Sequence, residues 1–483
     1  MSSERPPISG GPPAPGGRRT LPLATPAVVT GFDPGDNTRS GFRRAIAISV
    51  VVLLVLVAIL AVLGAIAPPR SNGVSVNAAA TTERPGQRLA ISLSQPVEVT
   101  GATLSIEPAA DAELVLEGST ATVRFAGMLD YATEYTVRID GLRGAATGAA
   151  GSVETSFTTP DPGVVTLVRG SDGEDDRIIR SPIAGSDTVT IAEAAAIGDL
   201  AVAGDTVAMS IDEGDGARVR ILVPDQKPVD ASGPYEASIR SLRGTQAGLF
   251  GWIISRGADG DREYVNTLVV YDLAGESAAT NVPIEITAPG GEPMLAVDWA
   301  WVPGSTSLVV QDQDGFSWLA DSTGGDPVLI GNQGILRGFV PGTTMALTDD
   351  GADLLVTDLG TGESSPLGRR APAADESSVP GASAVLSLDA TAWIVHRLDR
   401  TRSPSLVGSS IVRTDADGDT VLYETSADGA IILDLCVSPN GQFVAATVAS
   451  TDADGERPTT VLIDARTGGS SRSVPGESIA WCG

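Results

Sequence analysis

His396, in the segment TAWIVHRLD, is the only histidine of the 483 residues, and Cys436 and Cys482 are the only cysteines. A Ser–His–acid relay, a multi-histidine metal centre and a Cys/His zinc site all need more of these side chains in convergent positions. His396 sits among alternating apolar residues, which favours a strand residue packed in a sheet over a ligand or a general base. Neither cysteine has a CxxC neighbour, so a dithiol redox motif is also missing. Carboxylates are abundant, in the turns SDGEDD (171–176), ADGDRE (258–263), QDQDG (311–315), TDDGAD (348–353), TDADGD (414–419) and TDADGE (451–456). Asp415, Asp417 and Asp419 have the alternate spacing of a calcium loop, but Gly stands fourth instead of sixth and Ser426 occupies the twelfth place, where a bidentate Glu is needed. Asp-Gly is also the preferred two-residue hairpin connection, and that reading fits all six turns. No catalytic residue, metal ligand or cofactor is therefore assigned.

The elements that would position these residues are read from composition and periodicity. Gly, Pro and small apolar residues are plentiful, aromatic residues few, and the formal charge is −28, with Lys227 as the only lysine. Such an acidic surface repels phosphate backbones, which argues against a nucleic-acid partner. The basic residues gather at the start: Arg5, Arg18, Arg19, Arg39, Arg43 and Arg44 lie in a Pro/Gly-rich stretch, 1–44, expected to be a disordered tail. Residues 45–67, AIAISVVVLLVLVAILAVLGAIA, form an uncharged apolar run long enough to cross a bilayer as a helix. A cleaved signal peptide is the other reading, with Ala65-Ile66-Ala67 as its site. The following Pro68 and the length of the run favour a retained anchor. Arg39, Arg43 and Arg44 before the run, against Arg70 after it, place the N-terminus in the cytoplasm and everything after about residue 70 outside. Residues 68–85 read as a linker.

From residue 86 to 160 short alternating segments, RLAISLSQPVEV, ATLSIEP, AELVLEG, ATVRFAG, YTVRIDGL and ETSFTTP, are divided by Gly, Pro and Asp, the pattern of a β-sandwich. With Ser94-Gln95-Pro96-Val97, LDYATEYTV (129–137) and SFTTP (156–160), the stretch resembles the bacterial Ig-like domain of the SbsA type. That resemblance implies a spacer or adhesive module without catalytic residues. From 161 to 483 the chain repeats itself. A tight Gly turn recurs at Ala203-Gly204-Asp205-Thr206, Val302-Pro303-Gly304-Ser305, Val340-Pro341-Gly342-Thr343 and Ser438-Pro439-Asn440-Gly441. A strand ending in Asp before a Gly turn follows in most units, with Asp272, Asp321, Asp358 and Asp464. Spacings of about 38 to 56 residues with several short strands per unit are what propeller blades produce. The repeats resemble TolB-type and WD-repeat-like β-propellers, most closely in Val437-Ser438-Pro439-Asn440-Gly441 and Asp464-Ala465-Arg466-Thr467-Gly468.

Six units are read at 194–232, 233–287, 291–331, 334–370, 381–427 and 430–475. The leftover residues 164–193 lack an innermost strand that ESIAWCG, at the other end, would supply. The reading is thus an all-β protein outside the membrane, an Ig-like sandwich followed by a seven-bladed propeller, with six or eight blades as alternatives, behind one transmembrane helix. In that register Cys436 and Cys482 both fall on innermost strands of neighbouring blades, close enough for a disulfide in an oxidising compartment. Trp252, Trp299, Trp301, Trp318 and Trp393 read as packing between blades, with a carbohydrate-stacking platform as the other possibility. The function expected is a membrane-anchored, extracellular binding or scaffold protein of the bacterial cell envelope, its partner an envelope protein or a glycan. The alternatives are a carboxylate-based hydrolase or lyase working in the propeller channel, and a sensor with a cytoplasmic tail. Protease added to intact spheroplasts is expected to digest the region after residue 70 while the tail stays protected; free protein starting near Pro68 would exclude the anchor.

Overall fold

The computed structural model describes residues 37–482, apart from residues 67, 100, 147, 172, 333, 352, 369, 374–375, 400–404, 427–428, 451–456 and 478. Most of the expected tail and the TDADGE turn lie outside the described residues. The chain divides into two compact units, residues 1–67 and 68–483. In the first, helix α1 runs Asn37–Ile66, and its described side chains from Phe42 to Ile59 are all exposed. It is the one helix among the described residues long and apolar enough to cross a membrane. Eighteen residues at about 1.5 Å each nearly match a hydrocarbon core.

The second unit begins earlier than the sequence pattern suggests. Residues read as a linker form a strand, Ser71–Val76, paired antiparallel with Arg88–Leu93, and a short helix α2, Ala78–Glu83. Asn77 caps α2, its side-chain oxygen accepting from the Ala80 amide at 3.1 Å. The strand escapes sequence detection because its residues, SNGVSV, are small and mostly exposed. It completes a four-stranded sheet with Arg88–Leu93, Thr120–Phe125 and Ala112–Glu117. A three-stranded sheet of Thr103–Glu107, Glu134–Arg143 and Ala150–Thr158 packs on it. Between the two sheets Leu89, Ile91, Val123, Phe125, Val137 and Ile139 are fully buried, on alternate positions as a half-buried strand requires.

Residues 164–475 form one three-stranded sheet, 164–194, and six four-stranded meanders: sheet 1 (197–230), sheet 2 (235–285), sheet 3 (296–331), sheet 4 (335–366), sheet 5 (378–424) and sheet 6 (430–475). In each meander hydrogen-bonded neighbours follow chain order. The first strands of sheets 1, 2, 3 and 4 touch in series, as do those of sheets 5 and 6. Separate apolar cores join each sheet to the next, and one joins sheet 6 to the three-stranded sheet. This is the arrangement of a β-propeller, in which a sheet too small to bury its faces alone does so against two neighbours.

The two recurring sequence signatures have a common cause. Asp272, Asp321, Asp358 and Asp464 each accept a hydrogen bond from a backbone amide two residues on, fixing the turn between third and fourth strands. Ser305 and Thr343 do the same work between first and second strands: each hydroxyl donates to a carbonyl three residues back and accepts an amide two residues on. Trp299 is fully buried between sheets 2 and 3, its Nε1 donating to the Ser241 carbonyl at 3.1 Å. A Cβ on Gly251 would stand 2.6 Å from the same indole.

Closure of the ring departs from the expected innermost strand. The segment after sheet 6 makes a single antiparallel bridge, Leu167 with Glu477, and then turns into a 3₁₀ helix, Ala480–Cys482. Two backbone hydrogen bonds of 2.9 Å form the bridge. Side chains replace the missing ladder: Arg169 pairs with Glu477 and Asp176, both at 3.0 Å, and Asp176 accepts the amides of Gly170 and of Ile197 in sheet 1. Burial alone would push the Asp176 carboxyl up, but those amides and Arg169 outweigh it and hold the carboxyl below its usual range. A carboxylate depressed in the fold lends stability above its unfolded value and loses it as pH falls through the folded one. Acidification below about pH 4 is thus expected to lower the unfolding midpoint of the native protein more steeply than that of Asp176→Asn, read by circular dichroism across a pH series. Gly251→Ala should destabilise by about 1–3 kcal/mol and Trp299→Ala by about 3–5 kcal/mol in denaturant titration.

Candidate functional site

In each four-stranded meander the first-to-second and third-to-fourth turns share one end of the sheet, and the second-to-third turn lies at the other. The sandwich sits on the first of these ends. The Asn440 side chain donates to the Leu129 carbonyl at 3.0 Å, and the Tyr131 amide donates to Gln442 Oε1 at 2.7 Å. Arg466, in the third-to-fourth turn of sheet 6, pairs with Asp130. The Tyr131 ring stacks on Trp481 at 6.3 Å and joins the core shared by sheet 6 and the three-stranded sheet. The Arg84 side chain lies against the turn at Gly304, where an added Cβ would be 3.2 Å from it. The segments LDYATEY and SPNGQ, prominent in sequence, are therefore the two sides of one contact.

Beneath α2 this contact borders a partly open cavity of about 310 Å³. Its roof carries Glu83, Arg84 and Tyr131. Its walls are first-to-second turns and the strand ends beside them, including Trp301 and Arg243, together with Trp481 of the 3₁₀ helix. Arg243 stacks over Trp299 at 5.5 Å and pairs with Asp298 at 3.1 Å, while its buried Nε has no hydrogen-bond partner. Glu83, on α2, is half-buried and belongs to no ion pair among the described residues. Burial pushes its carboxyl above the usual range, with Arg84 opposing. Burial likewise raises the Tyr131 phenol, with Glu83 adding to the shift and the Asn440 amide opposing it. Asp199, on the first strand of sheet 1, is raised by burial although the amides of Leu242 and Leu200 and the charge of Arg243 counter it. Neither Glu83 nor Arg243 stood out in the sequence, because α2 reads as linker and Arg243 as an ordinary strand residue; Tyr131 lies in the prominent LDYATEY segment, but nothing there marked it as part of a site.

The residues singled out from sequence are dispersed. His396 bonds through Nδ1 to the Ser409 hydroxyl at 2.9 Å, and that oxygen also accepts the Ile432 amide. Burial lowers the imidazole below its usual value. Among the described residues no carboxylate bonds its other nitrogen, so the pair is a strand-to-strand tie. Asp415 pairs with Arg413 and accepts the Asp417 amide, and Asp419 holds Arg370 and the Ala373 amide. This turn joins the third and fourth strands of sheet 5 and so departs from the acidic turns at 259–262, 313–316 and 350–353, which join second to third. Those turns lie at the end of the sheets opposite the sandwich. Cys436 lies in the first strand of sheet 6 and packs in the same core as Trp481; the Cys482 side chain lies outside the described residues. No free cysteine is found among the described residues.

No family model matches the sequence, and no curated protein is similar to it. Solved structures with a similar course of chain include the C-terminal WD40 domain of Sif2, 15% identical, with a TM-score of 0.36, over 63% of this chain and 78% of that one. The WD40 domain of Toxoplasma gondii coronin is 13% identical, with a TM-score of 0.35, over 58% and 70%. A candidate TolB from Agrobacterium tumefaciens is 14% identical, with a TM-score of 0.30, over 60% and 87%. No activity or ligand passes to this chain from likenesses of that strength. Reversing Arg466 to Glu is expected to loosen the sandwich, seen as faster proteolysis within residues 71–160 while the sheets beyond 164 stay protected; unchanged cleavage would remove Asp130–Arg466 from the docking contact.

Proposed function

We propose that the chain is a membrane-anchored binding or scaffold protein of the bacterial cell envelope, held by residues 45–67 with its N-terminus in the cytoplasm. The sandwich is Ig-like, and the three-stranded sheet with its Glu477 bridge counts as the seventh blade. The observation that carries this reading is the asymmetry of the sheets' two ends. The sandwich covers one end, and the other is left with turns bearing Asp259, Asp261, Asp312, Asp314, Asp350 and Asp353. A rigid ring with one end covered presents the other as its variable surface. Its charge favours a basic protein segment, approached faster at low salt. The sandwich then serves as a cover for the propeller, beyond the spacer role implied by its resemblance.

An enzyme in the channel remains the alternative, and it would need two carboxylates facing one substrate. Asp199 instead accepts the Leu242 and Leu200 amides, and Asp298 accepts the Trp299 amide and pairs with Arg243. A photocrosslinking residue at Asp314 or Asp350 is expected to trap one recurrent partner in living cells, with a yield that falls when both neighbouring acidic turns are neutralised. Recurrent trapping only from the sandwich, with none from these turns, would place the binding surface elsewhere.

The proposal includes a Cys436–Cys482 disulfide at the closure. The 3₁₀ turn following the single Glu477 bridge has little backbone pairing to hold it, and a covalent tie to sheet 6 would do so. Closing that loop is worth about 3 to 4 kcal/mol in the chain-entropy account. Non-reduced peptide mapping should show the two joined, and Cys482→Ser should lower the unfolding midpoint of oxidised but hardly of reduced protein. Two freely alkylated thiols would refute it.

A further inference from the structure

The capped cavity is separate from the acidic end of the ring, and its lining points to a ligand of its own. Its size, about 310 Å³, is at the small end of ligand sites, which run from about 300 Å³ upward. Two indoles meet it: Trp481, with one face taken by Tyr131, and Trp301, set edge-on to Trp299 at 5.2 Å. Its charges balance locally. Arg243 is matched by Asp298, and Arg84 stands beside Glu83. A small anion or cation entering this space would find its attracting group offset by one of opposite sign. A neutral molecule rich in hydroxyls could bond to both the carboxylate of Glu83 and the guanidinium of Arg243, which line the space. Among the described residues the half-buried Glu83 carboxylate makes no ion pair. Leaving such a group unmatched costs free energy, which a ligand hydroxyl would recover. Hydroxyls in the plane of a ring, together with apolar C–H faces that lie on an indole, describe a pyranose or furanose.

We infer that this cavity binds a neutral saccharide, as a free mono- or disaccharide or a terminal residue of a glycan. Glu83 and Arg243 engage its hydroxyls, and Trp301 or Trp481 its apolar face. Gln246, exposed on the first-to-second turn of sheet 2, reaches the same space. Because Glu83, Arg84 and Tyr131 come from the sandwich and the rest from the propeller, the site exists only while the sandwich is docked. Occupancy therefore stabilises docking.

The test uses the full chain in an amine-oxide detergent, which has no sugar headgroup to compete. Glucose, galactose, N-acetylglucosamine, arabinose and trehalose are titrated up to tens of millimolar while tryptophan emission is followed. At least one is expected to give a saturable change and to slow proteolysis within the sandwich. Glu83→Gln and, on an exposed position that folding does not depend on, Gln246→Ala should each weaken it, the first by roughly tenfold or more, without lowering the unfolding midpoint of the sugar-free protein. The inference is overturned if no saccharide gives a saturable change. It is equally overturned if both variants bind as the native chain does, or if butylammonium or acetate binds as tightly as the best sugar. Crosslinking from the acidic turns reads the other surface independently, so either result can fail without the other.

Discussion

A four-stranded antiparallel meander with two apolar faces cannot stand alone in water, and this constraint organises everything after residue 164. Each sheet gains its burial from two neighbours, so the arrangement must either continue or close. Here closure falls to a short segment that offers one backbone bridge, at Glu477. Arg169 and Asp176 supply from side chains what the ladder does not: one guanidinium joins two carboxylates, and one of those carboxylates takes the first amide of sheet 1. The seam thus adds charged ties to the apolar cores that flank the three-stranded sheet.

The same seam is where the sandwich docks. Tyr131 enters the core between sheet 6 and the three-stranded sheet and stacks on Trp481, while Gln442 and Asn440 bind the backbone on either side of it. A loop that in isolation would serve only to turn the chain between two strands of the sandwich becomes part of the propeller's closure. In consequence the sandwich and the ring share buried surface at the ring's closure. A cavity is left where α2 spans the inner turns without filling the space between them.

Much of this architecture is written locally. The Asp that ends the third strands of sheets 2, 3, 4 and 6, and Ser305 and Thr343, which follow Gly turns, fix turn geometry through bonds spanning two or three residues, so they recur in sequence whether or not the blades are otherwise alike. Alternation in LAISL or TATVRF marks a half-buried strand for the same reason: the pleat has a period of two wherever the strand lies. The apolar run before Pro68 is legible because a bilayer asks only for length and lack of charge. Where local chemistry was weak the sequence pattern failed, as with SNGVSV, a strand held by its partner Arg88–Leu93 and not by its own burial.

What no spacing could convey is which segments meet. Asp130 and Arg466, Tyr131 and Gln442, and Arg169 and Glu477 are each separated by some three hundred residues, and their pairing depends on the angle at which a sandwich settles on a ring and on how far the closing segment reaches. Glu83 is one of many exposed-looking acids until α2 is laid over the inner turns, and Arg243 is one of many arginines until Asp298 and Trp299 surround it. Local hydrogen bonds and hydrophobic period made the strands, turns and long apolar helix of this protein a property of its sequence. The cavity and the covered end of the ring are properties of long-range packing, since they arise only from surfaces that come together after each part has folded.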